Sequence, residues 1–154
     1  MLEVAREELE TYIDKDLPPT DWLKIDQQQI NAFADATLDH QFIHVDPGKA
    51  AQTPFGSTIA HGYLTLSLVS HFLGQGGIVP QKVRMAINYG SDKVRFLEPV
   101  RVNSELRGHA RLIAVREKQP GQVLLTTRMT VEIKGSGTPA LIAEILSMFV
   151  CEKD

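Results

Sequence analysis

The chain has one cysteine, Cys151, among its 154 residues. That excludes an intrachain disulfide and fits a reducing cytoplasm. It also lacks any uninterrupted apolar run of about 18 residues, which excludes a bilayer-spanning helix and leaves no expected membrane partner. Positive charge is not in excess: the formal net charge is −3, so no global basic field draws in nucleic acid. The first residues, Met1-Leu2-Glu3-Val4-Ala5-Arg6-Glu7-Glu8, are too acidic and polar for a secretory signal. Repeats, low-complexity tracts and linker-like runs are missing, so one domain over residues 1–154 is expected, with 1–19 as a peripheral extension. Composition is ordinary, 43% hydrophobic and 23% charged, which excludes a disordered or fibrous chain.

What is present falls into two halves. Asp26 is placed to cap a helix over 27–37, with Ile30, Phe33 and Ala34 on one face. A loop over 39–44 follows, and the Asp46-Pro47 pair starts a short helix that Thr53-Pro54-Phe55-Gly56 stops. A main helix is expected over 58–73, apolar on several faces and ended by Gly74-Gln75-Gly76-Gly77. From Val83 onward the chain reads as strands over 83–89, 93–96, 105–116, 123–134 and 141–151. The expected turns are Gly90-Ser91, Gln119-Pro120-Gly121 and Gly135-Ser136-Gly137. Helices first and antiparallel strands after give an α+β chain, a curled sheet around one long helix.

The chemistry concentrates in two segments, Asp39-His40-Gln41-Phe42-Ile43-His44 and Ile59-Ala60-His61-Gly62-Tyr63. Asp39 alone reads as a turn or capping aspartate, and His44 alone as a structural histidine. Together they make a carboxylate–imidazole pair able to hold and deprotonate one water. That works only if the loop turns both groups inward. His61-Gly62 sits near the helix start, where a glycine admits close approach to backbone N–H groups; packing against a strand explains it equally well. His40, His44 and His61 lack a cysteine partner and an H-E-x-x-H pattern, so no metal is expected. Gly74-Gln75-Gly76-Gly77 lacks the Lys-Ser/Thr of a phosphate loop, and Gly56-Ser57-Thr58 is no nucleophile elbow. Ser70 lies on the main helix, within expected reach of the Asp39 loop. Arg84, Lys93 and Arg95 read as charges on a sheet face, with phosphate contact as the alternative.

These segments, with Pro54-Phe55-Gly56, Asn88-Tyr89-Gly90 and Lys93-Val94-Arg95-Phe96, resemble the MaoC-like dehydratases over roughly residues 20–150. The closer likeness is to the nodulation-protein-N-like branch of the (R)-specific enoyl-CoA hydratases. The resemblance implies a hot-dog fold, a homodimer, no cofactor, and an acyl-CoA or acyl-carrier-protein thioester as substrate. It implies Asp39 and His44 as the catalytic pair, Gly62 as the N–H that polarises the thioester carbonyl, and Ser70 and His61 in support. The activity implied is reversible hydration of trans-2-enoyl thioesters to (R)-3-hydroxyacyl thioesters. A non-catalytic acyl-thioester-binding protein and a hot-dog thioesterase are the alternatives. Leu38 departs from the family, where glycine often precedes the catalytic aspartate; Gln41-Phe42 departs in the manner of the branch.

Overall fold

Alternation of buried and exposed residues along β5 (Glu105–Gln119) shows what organises the molecule. Leu106, Gly108, Ala110 and Leu112 point inward, while Arg107, His109 and Arg111 point out. A computed structural model describes residues 1–152. In it β5 lies in a five-stranded sheet in the order β2-β5-β6-β7-β4. The other members are β2 (Leu23–Lys24), β4 (Val83–Phe96), β6 (Gln122–Ile133) and β7 (Leu141–Cys151), and every pairing is antiparallel. β1 (Leu2–Val4) and β3 (Ile78–Pro80) form a separate parallel pair.

The inner face of the sheet receives a helix in two pieces, α4 (Gly62–Ser67) and α5 (Val69–Gly76), hinged at Leu68. Phe72 of α5 is fully buried, and a Cβ built on Gly108 would stand 2.6 Å from its Cβ and 2.9 Å from Met129 Cε. The glycine is what lets helix and sheet approach. Ahead of this helix come α1 (Gln27–Thr37), α2 (Phe42–Val45) and α3 (Pro47–Ala50). Asp26 and Asp46 cap α1 and α3 as expected, accepting from Gln29 N at 2.9 Å and Lys49 N at 3.0 Å.

Four expectations need correction. The main helix starts at Gly62, not near residue 58, because Thr58, Ile59 and Ala60 bond as extended backbone: Ala60 N donates to Val100 O and Val102 N to Thr58 O. It also runs through Gly74 to Gly76 before Gly77 ends it. Gly90-Ser91 is no turn; β4 is one strand whose register shifts between Asn88 and Gly90 and again between Asp92 and Arg95, so bulges bend it without breaking it. The 39–44 segment is partly helical, with His44 in the single turn of α2. Residues 1–19 are not peripheral: a 3-10 helix (Arg6–Tyr12) buries Leu9 completely, and Val4 and Leu17 join the same core.

Leu38 ends α1 in the left-handed region, φ 63° and ψ 19°, with its side chain exposed. A residue with a Cβ costs about 1–2 kcal/mol there. We expect Leu38→Gly to raise stability by about 1 kcal/mol, part of the relief being offset by glycine's backbone entropy. Urea unfolding measures it, and an unmoved or lowered midpoint would show that Leu38 carries no strain.

Candidate active site

His44 is the centre of the site because three elements fix it. Its Nδ1 lies 2.7 Å from the Ile59 carbonyl, which makes Nδ1–H the donor and leaves Nε2 as the free acceptor. Ile59 N donates in turn to Ile43 O at 3.0 Å, locking α2 to the extended 58–60 segment. Gln27, in the first turn of α1, donates to the His44 carbonyl at 2.7 Å and accepts from the Thr58 hydroxyl.

His61 stacks on His44, ring centroids 3.8 Å apart and planes 23° from parallel, with Phe33 tilted against its other side at 5.0 Å. Its Nε2 donates to the Asp39 backbone carbonyl at 3.0 Å and lies 3.9 Å from Asp39 Oδ2. Its Nδ1 is buried and is the one such atom without a hydrogen-bond partner among the described residues. The Asp39 carboxylate accepts from Gln41 N at 3.3 Å and is otherwise open, its side chain 55% exposed. One ligand atom from each of Asp39, His44 and His61 falls within 4.8 Å of the others. Such a cluster can hold a cation or a water; the hydrogen bonds already commit His44 Nδ1 and His61 Nε2.

Gly62 opens α4, so its N–H has no carbonyl one turn earlier to bond. A Cβ on Gly62 would come 3.1 Å from the Phe96 ring, so glycine lets that ring cover the helix start. A cavity of about 410 Å³ opens here, between His44, Gly62, Thr65 and Phe96. α1, α2, the extended 58–60 segment and α4 thus bring Asp39, His44, His61 and Gly62 to one place.

Other expected residues lie elsewhere. Ser70 lines a different cavity with Leu73 and Asn88 and does not bond Asp39 within the chain. Along the helix it stands about 12 Å from Gly62, at 1.5 Å per residue. Lys93 is held by Glu144 at 2.9 Å, Arg95 donates to the Val94 carbonyl, and Arg84 lies exposed on β4. Sequence reasoning missed Gln27, the Ile59 carbonyl and Phe96. Gln27 lies in no motif, and Phe96 lies in one of the resembling segments without a role assigned to it; their parts come from contacts across 17 and 34 residues of chain.

Burial is the main cause that lowers the His44 pKa below its ordinary 6.5; the neighbouring His61 adds to it, while the Ile59 carbonyl and Asp39 pull partly back. His44 is therefore neutral at neutral pH. The unfolded chain takes up this proton near pH 6.5 and the folded chain only at lower pH. Its contribution to stability is thus full above that value and is lost as pH falls toward the folded pKa. Urea unfolding from neutral to mildly acidic pH should show a smaller acid loss in His44→Gln than in the wild type. Equal losses would mean that His44 protonates alike in both states.

Fold and site together define a hot-dog protein, α+β, with a carboxylate and a neutral imidazole beside the N-terminus of its central helix. The chain belongs to the MaoC-like domain family, whose sequence pattern matches residues 8–133. It is 48% identical over 131 residues to 3-hydroxyacyl-thioester dehydratase Z of Mycobacterium tuberculosis, covering 85% of this chain and 86% of that one. It is 42% identical over 149 residues to nodulation protein N of Rhizobium meliloti, covering 96% and 92%. Among solved structures it resembles an (R)-hydratase from A. caviae, with a TM-score of 0.70, 28% identity, and coverage of 88% and 94%. The chain is an enzyme of the hydro-lyase type. No helix among the described residues is long and apolar enough to cross a membrane.

Proposed function

We propose that the protein is an (R)-specific enoyl-thioester hydratase, acting reversibly on trans-2-enoyl-CoA or the corresponding acyl-carrier-protein thioester. The observation that carries this reading is the tautomer of His44. With Nδ1–H given to Ile59 O, Nε2 accepts one hydrogen of a water whose other hydrogen faces the Asp39 carboxylate. Asp39 takes that proton as the oxygen bonds to C3 of the enoyl thioester. The electrons of the double bond move toward the thioester carbonyl, whose oxygen meets the Gly62 N–H and the positive end of α4. The proton then returns to C2, so hydrogen and hydroxyl are added with nothing left over. His61 holds the Asp39 backbone and the His44 ring in register. No cofactor enters this sequence, and the three-residue cluster serves to hold water.

A thioesterase would use the same fold, but the pair at Asp39 and His44 with an oxyanion site suits addition to a conjugated double bond. A binding protein would need neither the tautomer nor the buried stack. Asp39→Asn keeps the shape and removes the base. It should lower kcat for crotonyl-CoA by about a hundredfold or more, with KM little changed, read from the enoyl-thioester absorbance. Turnover equal to wild type would sink the mechanism, and silence from both proteins across all acyl lengths would favour binding without catalysis.

The functional unit on this reading is a homodimer. Among the described residues β4 is an edge strand of 14 residues bonded only to β7, and Met85, Ile87, Tyr89 and Phe96 along it are large, apolar and exposed. An open apolar edge of that length calls for a second copy. A two-fold axis through its middle sets the Phe96 end of one strand beside the Val83 end of the other. That arrangement carries Ser70 and the cavity it lines toward the partner's Asp39 loop, which a single chain cannot do. Sedimentation velocity should give a dimer for wild type and a monomer for Met85→Asp; a monomeric wild type would overturn the arrangement.

A further inference from the structure

Gln27 lies in the first turn of α1, yet its amide reaches two distant parts of the chain at once. Nε2 donates to the His44 carbonyl at 2.7 Å and to Asn31 Oδ1 at 2.9 Å, and Oε1 accepts from the Thr58 hydroxyl. These bonds fix which way the amide faces, because turning it over would press Oε1 against the His44 carbonyl oxygen. Thr58 is only 1% exposed, so its hydroxyl depends on a partner within the protein.

The bonds close a ring. From the His44 carbonyl the path runs through the Gln27 amide to the Thr58 side chain, along the backbone to the Ile59 carbonyl, and through Nδ1–H back to His44. The backbone bond from Ile59 N to Ile43 O joins α2 to the 58–60 segment at one point, about which α2 could still tilt. α2 is a single turn and too short to hold its own direction. Gln27 adds a second point of attachment, and two points set the tilt. The tilt decides whether the ring meets the Ile59 carbonyl with Nδ1, and so which nitrogen carries no proton.

We propose that Gln27 and Thr58 are positioning residues for the hydration, holding His44 in its Nδ1–H tautomer through this ring. Both act through His44. The effect on rate rests on the hydratase reading above; the effect on tautomer does not. Thr58→Val keeps the outline of the side chain and leaves Gln27 Oε1 without that donor, whereas Thr58→Ser keeps the hydroxyl. Gln27→Met keeps the length and removes the bonds to both His44 and Thr58.

Nitrogen-15 NMR of the full-length protein distinguishes protonated from bare ring nitrogens, and the His44 signals are those missing from His44→Gln. Wild type and Thr58→Ser should show Nδ1 protonated and Nε2 bare. In Thr58→Val and Gln27→Met the proton should appear on Nε2, and kcat for crotonyl-CoA should fall about tenfold or more with KM little changed. A slower enzyme whose proton stays on Nδ1, or a Thr58→Ser protein as slow as Thr58→Val, would reduce the two residues to packing and overturn the proposal. Gln27→Met, changed at a half-buried position, decides the matter if Thr58→Val fails to fold. If wild type hydrates no enoyl-CoA but the proton moves in the variants, the tautomer lock stands and the hydratase reading falls. If wild type hydrates and the proton stays on Nδ1 in the variants, the lock falls and the hydratase reading stands.

Discussion

Phe72 packed on Gly108 is the contact from which the rest of the molecule is built. A sheet that curls around a helix must come close to it somewhere, and a side chain at residue 108 would hold the two apart by the width of its own Cβ. With that seat fixed, Leu106, Leu112, Met129 and Val131 close around the helix on the sheet side, all fully buried. The same seat sets the direction of the helix, so that Gly62 points toward the Phe96 end of β4 and Gly74 toward its beginning. The two cavities are consequences of one docking.

The site is a second tier held by polar contacts rather than by volume. The 58–60 segment is pinned on one side by Val100 and on the other by α2, and His44 takes its tautomer from the Ile59 carbonyl in that segment. His61, at the end of the same segment, reaches back to the Asp39 carbonyl. One short extended stretch thereby sets the tautomer of the imidazole, the position of the carboxylate's backbone and the start of α4. Burial lowers the proton affinity of His44, which keeps it an acceptor, as the proposed hydration requires. Leu38 is the cost carried nearby: the turn that delivers Asp39 needs left-handed backbone, and a leucine supplies it.

Much of the fold could be read from residues alone because it rests on local periodicity. Asp26 and Asp46 cap where their side chains say they should, and Glu105–Leu112 alternates as a half-buried strand must. The long β4 could not be read, since Gly90-Ser91 looks like a turn until β7 pairs across it and converts the irregularity into bulges. The start of the main helix failed for the same kind of reason. Residues 58–60 have helical character locally, and partners 40 and 44 residues away claim the backbone groups of Ala60 and Thr58.

The sequence by itself determined the α+β class, the exclusion of an intrachain disulfide, and the identities of the carboxylate, the imidazoles and the glycine that meet in the site. These are matters of composition, spacing and motif, which survive without coordinates. Tertiary structure decided which nitrogen of His44 is free, that His61 stacks on it, and that Ser70 borders another cavity. Each of those depends on groups brought together from distant parts of the chain, and hydrogen-bond direction and enclosed volume exist only once the sheet has closed around its helix.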